Sequence, residues 1–289
     1  MAGAPREMNI LSVQSWVAYG HVGNAAAMFT LQRLGAEVWA VNTVQFSNHT
    51  GYGNWTGRVS GAAEIADVIA GIAARGVLGG CDAVLSGYIG DAAIGAAVLD
   101  AVARVRQANP RALYCCDPVI GDAARGVFVR DGVAAFFAEA AVPRADILTP
   151  NHFELERLTG RRIATLAEAK AAVAAVQARG PRCVLVTSLR TEATPEDAID
   201  LLAAGGGACH LLRTPRLPVV ANGAGDAIAA LFLFHFLRTG SAPAALAAAA
   251  SALFGVLRRT AEEQAPELLL VAAQDELVAP SRRFAAIAC

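Results

Sequence analysis

A chain of 289 residues with 24 basic and 25 acidic side chains has a formal charge of -1, so it carries no extended basic field for nucleic acid or an anionic membrane surface. Hydrophobic residues reach 55%, but alanine supplies much of this. The most apolar stretch, Ala227 to Leu237, is interrupted by His235 and closed by Arg238, short of the ~20 apolar residues of a membrane span.

The first seven residues, Met1 to Glu7, lack the apolar core of a secretory signal and read as a loose extension of a cytoplasmic protein. Asn9 to Gln14 predicts a strand, Gly23 to Leu34 a helix stopped by Gly35, and Glu37 to Asn42 a second strand. Ala62 to Ala74 predicts a helix, Ala83 to Ser86 a strand, and Ala92 to Ala108 an alanine-rich helix stopped by Asn109-Pro110. Ala112 to Cys116 is a strand running into Asp117-Pro118. Ile147-Leu148 leads to Thr149-Pro150 and a helix from about Asn151, Leu166 to Ala178 is a further helix, and Cys183 to Val186 is an apolar strand bounded by Thr187-Ser188. Ile199 to Ala203 and Cys209 to Arg213, joined by three glycines, resemble an antiparallel hairpin, and the tail reads as helical.

Short apolar runs separated by helical patterns indicate parallel strands covered on both faces. The fold class predicted is therefore α/β: a three-layer α/β/α sandwich around a mostly parallel central sheet. No repeat, linker or shift in composition marks a second boundary, so residues 8–289 are expected to form one domain. Cysteines 81, 115, 116, 183, 209 and 289 include no Cys-x-x-Cys pair and read as reduced thiols, not zinc ligands.

In open sheets of this kind ligands bind beyond the carboxyl ends of the strands. The polar residues there are Ser15, Thr50, Tyr88, Asp117, Thr149, Glu154, Thr187 and Ser188. Asp117 and Glu154 could anchor Mg²⁺, which prefers oxygen ligands and keeps several waters, while ATP phosphates complete its shell. The plainer alternative is that Asp117 opens the Asp-Pro turn and Glu154 caps a helix. Asn222-Gly223-Ala224-Gly225-Asp226 precedes the buried helix. Its glycines let backbone amides converge with the positive helix end into an anion hole, and Asp226 is placed to accept a proton from an attacking hydroxyl. Alternatively, Asp226 only complements the helix dipole. A Walker A motif and a Gly-x-Gly-x-x-Gly after the first strand are both missing, which disfavours P-loop and dinucleotide-binding readings.

Several motifs together resemble the pyridoxal kinases of the ribokinase-like superfamily, in that family's order over about residues 8 to 280. They are Gln14-Ser15, Tyr19-Gly20-x-x-Gly23-Asn24, the block from Asn42 to Gly53, Ser86-Gly87-Tyr88, Cys116-Asp117-Pro118-Val119, Asp146 to Asn151 with Glu154, and Gly223-x-Gly225-Asp226. The stretch from Val44 to Gly53 discriminates best, because the other ribokinase-like families lack it.

The resemblance implies transfer of the ATP γ-phosphoryl group to the 5′-hydroxyl of pyridoxal, with pyridoxine and pyridoxamine as lesser acceptors, to form pyridoxal 5′-phosphate in vitamin B6 salvage. It implies Asp226 as base beside an anion hole of Gly223, Ala224 and Gly225. It further implies Ser15 and Thr50 on the pyridine ring, with Val44, His49, Gly51 and Tyr88 around it. Asp117 and Glu154 would hold the metal-bound phosphates, Thr149, Asn151, Thr187 and Ser188 would contact ATP, and Arg213 would lie near the nucleoside. Mg²⁺, a monovalent cation such as K⁺ and a homodimer are implied as well. Thr187 stands where one bacterial branch has lysine, and Gly51 where some relatives have glutamine. The rival expectations are a hydroxymethylpyrimidine kinase and a non-catalytic pyridoxal-binding protein.

Overall fold

The computed structural model describes residues 8–289; the loose extension predicted over 1–7 lies outside the described residues. Strands run in chain order as β1 (Met8–Val17), β2 (Ala36–Phe46), β3 (Gly57–Val59), β4 (Cys81–Ser86), β5 (Leu113–Cys116), β6 (Gly121–Asp122), β7 (Gly126–Val127), β8 (Ile147–Leu148), β9 (Cys183–Leu189), β10 (Ala198–Gly205), β11 (Ala208–Pro215) and β12 (Ile287–Ala288). The helices are α1 (Asn24–Arg33), α2 (Ala62–Ala74), α3 (Ala92–Ala108), α4 (Val133–Phe136), α5 (His152–Thr159), α6 (Leu166–Gln177), α7 (Ala224–Thr239), α8 (Ala242–Glu262) and α9 (Gln274–Val278).

Ten strands form one sheet in the order β12-β11-β10-β9-β8-β5-β4-β1-β2-β3. The six from β9 to β2 are parallel neighbours. They read as nearly unbroken apolar runs because helices cover both their faces. The edges turn antiparallel: β3 on β2, β10 on β9, β11 on β10 and β12 on β11. The tail therefore ends in a short strand after its helices. Its last two strand residues pair with His210 and Leu211.

Alternation within the strands divides the core in two. Leu11 and Val13 of β1 point into a cluster with Ile69 of α2, Val98 of α3 and Val173 of α6. Ile10 points the other way, toward Leu31 of α1, Phe232 of α7 and Leu246 of α8. Helix α8 is long and apolar enough to cross a membrane, yet most of its length is buried, and it packs as a core helix against α7, α9 and the sheet.

Several strands continue past their expected ends, β1 among them, which reaches Val17. β2 reaches Phe46, with Val44 and Phe46 buried and Gln45 exposed between them. β9 reaches Leu189, carrying Thr187 and Ser188, and Ser188 has φ +51, a left-handed conformation uncommon outside glycine. The chain crosses from β2 and β3 back to β4 on the opposite side of β1. That reversal opens a crevice at the carboxyl end of β1. Pairing between β1 and β2 also slips between Gln14 and Trp16. Such a bulge re-aims a side chain, here Ser15, toward the crevice.

Candidate active site

A cavity of ≈ 340 Å³ occupies this crevice. Its lining includes Ser15, Val44, His49, Thr50, Gly51, Tyr88, Asp117, Thr149, Asn151, Glu154, Thr187, Ser188, Gly223, Ala224, Gly225 and Asp226. Residues separated by more than two hundred positions thus meet because each follows a strand of one sheet or starts a helix behind it. Arg213 is the predicted residue the fold keeps out. Its guanidinium makes a two-pronged pair with Asp200, Nε to Oδ1 at 2.7 Å and Nη2 to Oδ2 at 2.8 Å. Successive strand side chains face opposite ways, and the next residue, Thr214, lines an adjoining apolar cavity of ≈ 240 Å³, as does Pro215 where the strand ends. That second cavity is walled by Ile199, Leu201, Leu217, Val219, Ile228, Leu253 and Leu257, and shares Thr187, Ser188 and Gly225 with the first.

Helix α7 begins at Gly223, whose φ of +89 places it in the left-handed region. Its amide end faces the cavity, and half-buried Asp226 sits in its first turn. The backbone amides of Gly23 and of Asp226 itself face the Asp226 carboxyl and favour its charged form. Across the cavity, Asp117 Oδ1 accepts from Thr149 Oγ1 at 2.9 Å, and among the described residues no donor reaches Oδ2.

Glu154 closes a capping box with Asn151 at the start of α5. Its Oε2 accepts from the Asn151 amide at 2.9 Å, and its Oε1 from the Ile120 amide at 2.9 Å, so the same carboxylate fastens the loop before β6. Asn151 completes the fastening by donating from Nδ2 to the Gly121 carbonyl at 2.8 Å. The β6–β7 hairpin beyond brings Arg125 to the cavity. Its guanidinium is held by Asp122 at 2.7 Å and lies 4.5 Å over the Phe128 ring.

Comparison with known proteins bears on this arrangement. The phosphomethylpyrimidine kinase family model matches residues 58–265. A pyridoxal kinase of Granulibacter bethesdensis is 63% identical over 286 residues, covering 98% of this chain and 100% of that protein. One from Rubrobacter xylanophilus is 57% identical, covering 96% of each. This chain belongs to the pyridoxal kinase family. The solved pyridoxal kinase of Leishmania donovani, in complex with ADP and pyridoxamine, superposes with a TM-score of 0.90 at 29% identity, covering 98% of this chain and 100% of that one. The shared fold is the ribokinase-like one. Ser15, Val44, His49 and Thr50 lie upstream of the matched family-model segment, which begins at residue 58.

Electrostatically, the pyridoxal kinase cavity is short of cations. Burial raises the Asp117 carboxyl well above its ordinary value, and the negative charges of Glu154 and Asp226 add to this. Burial pushes Glu154 up to about 7 against the opposing pull of the backbone amides that bond it, and pushes Asp226 up to about 6 against the Gly23 amide. Between the ordinary carboxylate range and pH 7 the folded protein therefore holds protons that the unfolded chain releases. Stability contributed by such groups is complete at low pH and is lost as pH rises through the raised values. For Glu154 alone the shift from 4.5 to about 7 corresponds to on the order of 3 kcal/mol. The ligand-free protein in chelator is thus expected to melt at falling temperature from pH 5.5 to pH 8, with a flatter decline in Asp117→Asn. A melting temperature that climbs across that window would contradict the assignment.

Glu267 and Arg125 were not anticipated from sequence. Glu267 touches both His49 and Tyr52 from a segment after α8. No local pattern announces a contact between residues 215 positions apart.

Proposed function

We infer that this chain is an ATP-dependent pyridoxal kinase, transferring the γ-phosphoryl group of ATP to the 5′-hydroxyl of pyridoxal to form pyridoxal 5′-phosphate in vitamin B6 salvage. One observation carries the reading: Asp226, at the mouth of the glycine-capped helix α7, shares a single cavity with Asp117 and with the pocket of Ser15, Val44 and His49. A hydroxyl acceptor and a terminal phosphate can both reach such a carboxylate.

In this reading Asp226 accepts the hydroxyl proton as the oxygen attacks phosphorus, and the amides of Gly223, Ala224 and Gly225 receive the charge spreading over the phosphoryl oxygens. Ser15 and Thr50 bind the pyridine ring, with Val44, His49, Gly51 and Tyr88 enclosing it. Thr149, Asn151, Thr187 and Ser188 line the phosphate path. The apolar cavity beside Thr187 and Ser188 suits the nucleobase, and it moves the nucleoside contact from Arg213 to Thr214 and Pro215.

The buried pair Asp117 and Glu154 suits a divalent cation, and the free Oδ2 of Asp117 is the natural direct ligand. Glu154, with both oxygens taken by amides, would act through water. Among the described residues no group of three or more metal-ligating side chains gathers, which suits Mg²⁺ because it is held mainly by phosphates and water. When bound, Mg²⁺ neutralises charge on the phosphates. Arg125 offers the cavity a positive charge where Thr187 replaces a lysine of other relatives. Family likeness supports a homodimer, a cytoplasmic location and use of a monovalent cation such as K⁺.

The test is an ADP-release assay with Mg·ATP over pyridoxal, pyridoxine, pyridoxamine and hydroxymethylpyrimidine. Pyridoxal is expected to give the highest kcat/KM. The matched family model favours one second reading, hydroxymethylpyrimidine phosphorylation, and a preference for that substrate would establish it. Tight pyridoxal binding without ADP release would instead mark a binding protein.

A further inference from the structure

Glu267 lies in the segment between α8 and α9, and its side chain is only 11% exposed. Its Oε1 accepts a hydrogen bond from the Tyr52 hydroxyl at 2.6 Å and lies 3.2 Å from His49 Nε2. The Tyr52 ring stacks on the His49 imidazole with centroids 4.5 Å apart and planes 27° off parallel. His49 is thus held by contact on one ring face and on one ring nitrogen.

A carboxylate oxygen can only accept, so its approach to 3.2 Å favours the hydrogen on Nε2. In that tautomer Nδ1 carries a bare lone pair. That Nδ1 is buried and has no hydrogen-bond partner in the protein, although its side chain lines the cavity. A buried acceptor left unmatched is costly and calls for a donor from whatever fills the space.

Gly20 explains how the carboxylate fits. A Cβ at Gly20, where φ is +88, would lie 2.2 Å from Glu267 Oε2. The Tyr19-Gly20 step, prominent in sequence but without a role in the chemistry above, provides the floor on which Glu267 rests.

We propose that Glu267 is a positioning residue for the pyridoxal ring: it holds His49 as the Nε2–H tautomer, so that Nδ1 accepts a hydrogen bond from the ring hydroxyl of the substrate. The proposal rests on the kinase reading above and adds to it a specificity element from the far end of the chain. Glu267 lies just beyond the 58–265 segment matched by the family model, and His49 lies before it.

In Glu267→Gln the amide can donate or accept at the same place, so the tautomer is no longer dictated. The KM for pyridoxal is expected to rise about tenfold, the effect of losing one oriented hydrogen bond, while kcat and the KM for ATP stay within about twofold. An analogue of pyridoxal without the ring hydroxyl is expected to bind wild type and Glu267→Gln equally. Nitrogen-15 NMR of histidine-labelled protein, with the His49 signals identified by their loss in His49→Asn, is expected to show the Nε2–H tautomer in wild type and a mixture in Glu267→Gln. Tyr52→Phe, which keeps the stacked ring and the approach of Glu267 to Nε2, is expected to leave both KM values unchanged.

The proposal is overturned if Glu267→Gln leaves the tautomer and the pyridoxal KM as they were, if both KM values rise together, or if Tyr52→Phe reproduces the effect. Should the glutamine variant fail to fold, Glu267→Asp keeps the charge but withdraws it from Nε2, and the same selective rise is required of it. Wild-type protein that turns over no pyridoxal would refute the kinase reading alone, since the tautomer signal tests the His49 geometry separately.

Discussion

Asp226→Asn is expected to lower turnover of pyridoxal by at least ~10²-fold, the cost of removing a general base, while nucleotide binding and melting temperature stay close to wild type. The substitution is nearly isosteric. The asparagine oxygen can still face the Gly23 amide, so the approach of the loop before α1 to the first turn of α7 survives. Stability is not expected to suffer, because burial already disfavours the charged carboxylate. A base must be deprotonated to work, so wild-type kcat/KM should fall as pH drops through the Asp226 value of about 6, and the asparagine variant should lose that limb. Steady-state rates across pH 5 to 8 and a nucleotide titration read both outcomes. Full turnover in the variant, or an unchanged acid limb, removes Asp226 from the chemistry.

The elements that proved legible were those whose signal is local. Apolar runs bounded by Gly, Pro and Asp located the parallel strands, and helices α2 and α3 begin and end where alanine periodicity and the Asn109-Pro110 stop placed them. Motifs following those strands predicted much of the cavity lining, since position after a strand is enough to put a residue at the sheet's carboxyl edge. Legibility failed in three physically distinct ways. β2 outran its expected end at Asn42 because exposed Gln45 separates buried Val44 from buried Phe46, so no unbroken apolar run marks the extension. Arg213 was placed near the nucleotide although the alternation of β11 turns it toward Asp200 and presents Thr214 instead. Asn151-x-x-Glu154 suits a helix cap and a metal-site motif equally; the structure uses it as a cap whose carboxylate also ties down residues 120 and 121. Glu267 stands apart from all of these, because its partners are fixed by where the chain returns after α8, which no window of sequence contains.

The two glycines of Gly223-x-Gly225 look equivalent in sequence, but the structure predicts opposite consequences for them. At Gly223 a methyl group would lie 1.7 Å from the His21 carbonyl oxygen, and the residue has φ +89. The oxygen belongs to backbone, so relief requires moving residues 21 to 23, the same stretch whose Gly23 amide faces the Asp226 carboxyl. Gly223→Ala is therefore expected to lower stability by about 2 kcal/mol or more, from left-handed strain together with the clash, and to reduce turnover at least ~10²-fold as anion-hole amides and base shift together. Gly225 has no positive φ, and nothing lies within 4 Å of its Cβ position. Alanine there favours the helix by up to ~1 kcal/mol, so Gly225→Ala is expected to melt no lower than wild type. Because Gly225 borders both cavities, the added methyl projects into the nucleotide's path and should raise the KM for ATP without touching pyridoxal. Thermal denaturation and paired KM measurements on the two variants decide the matter. If both destabilise alike, or if Gly223→Ala keeps its turnover, the packing of residues 21 to 23 against the start of α7 is not what aligns the site.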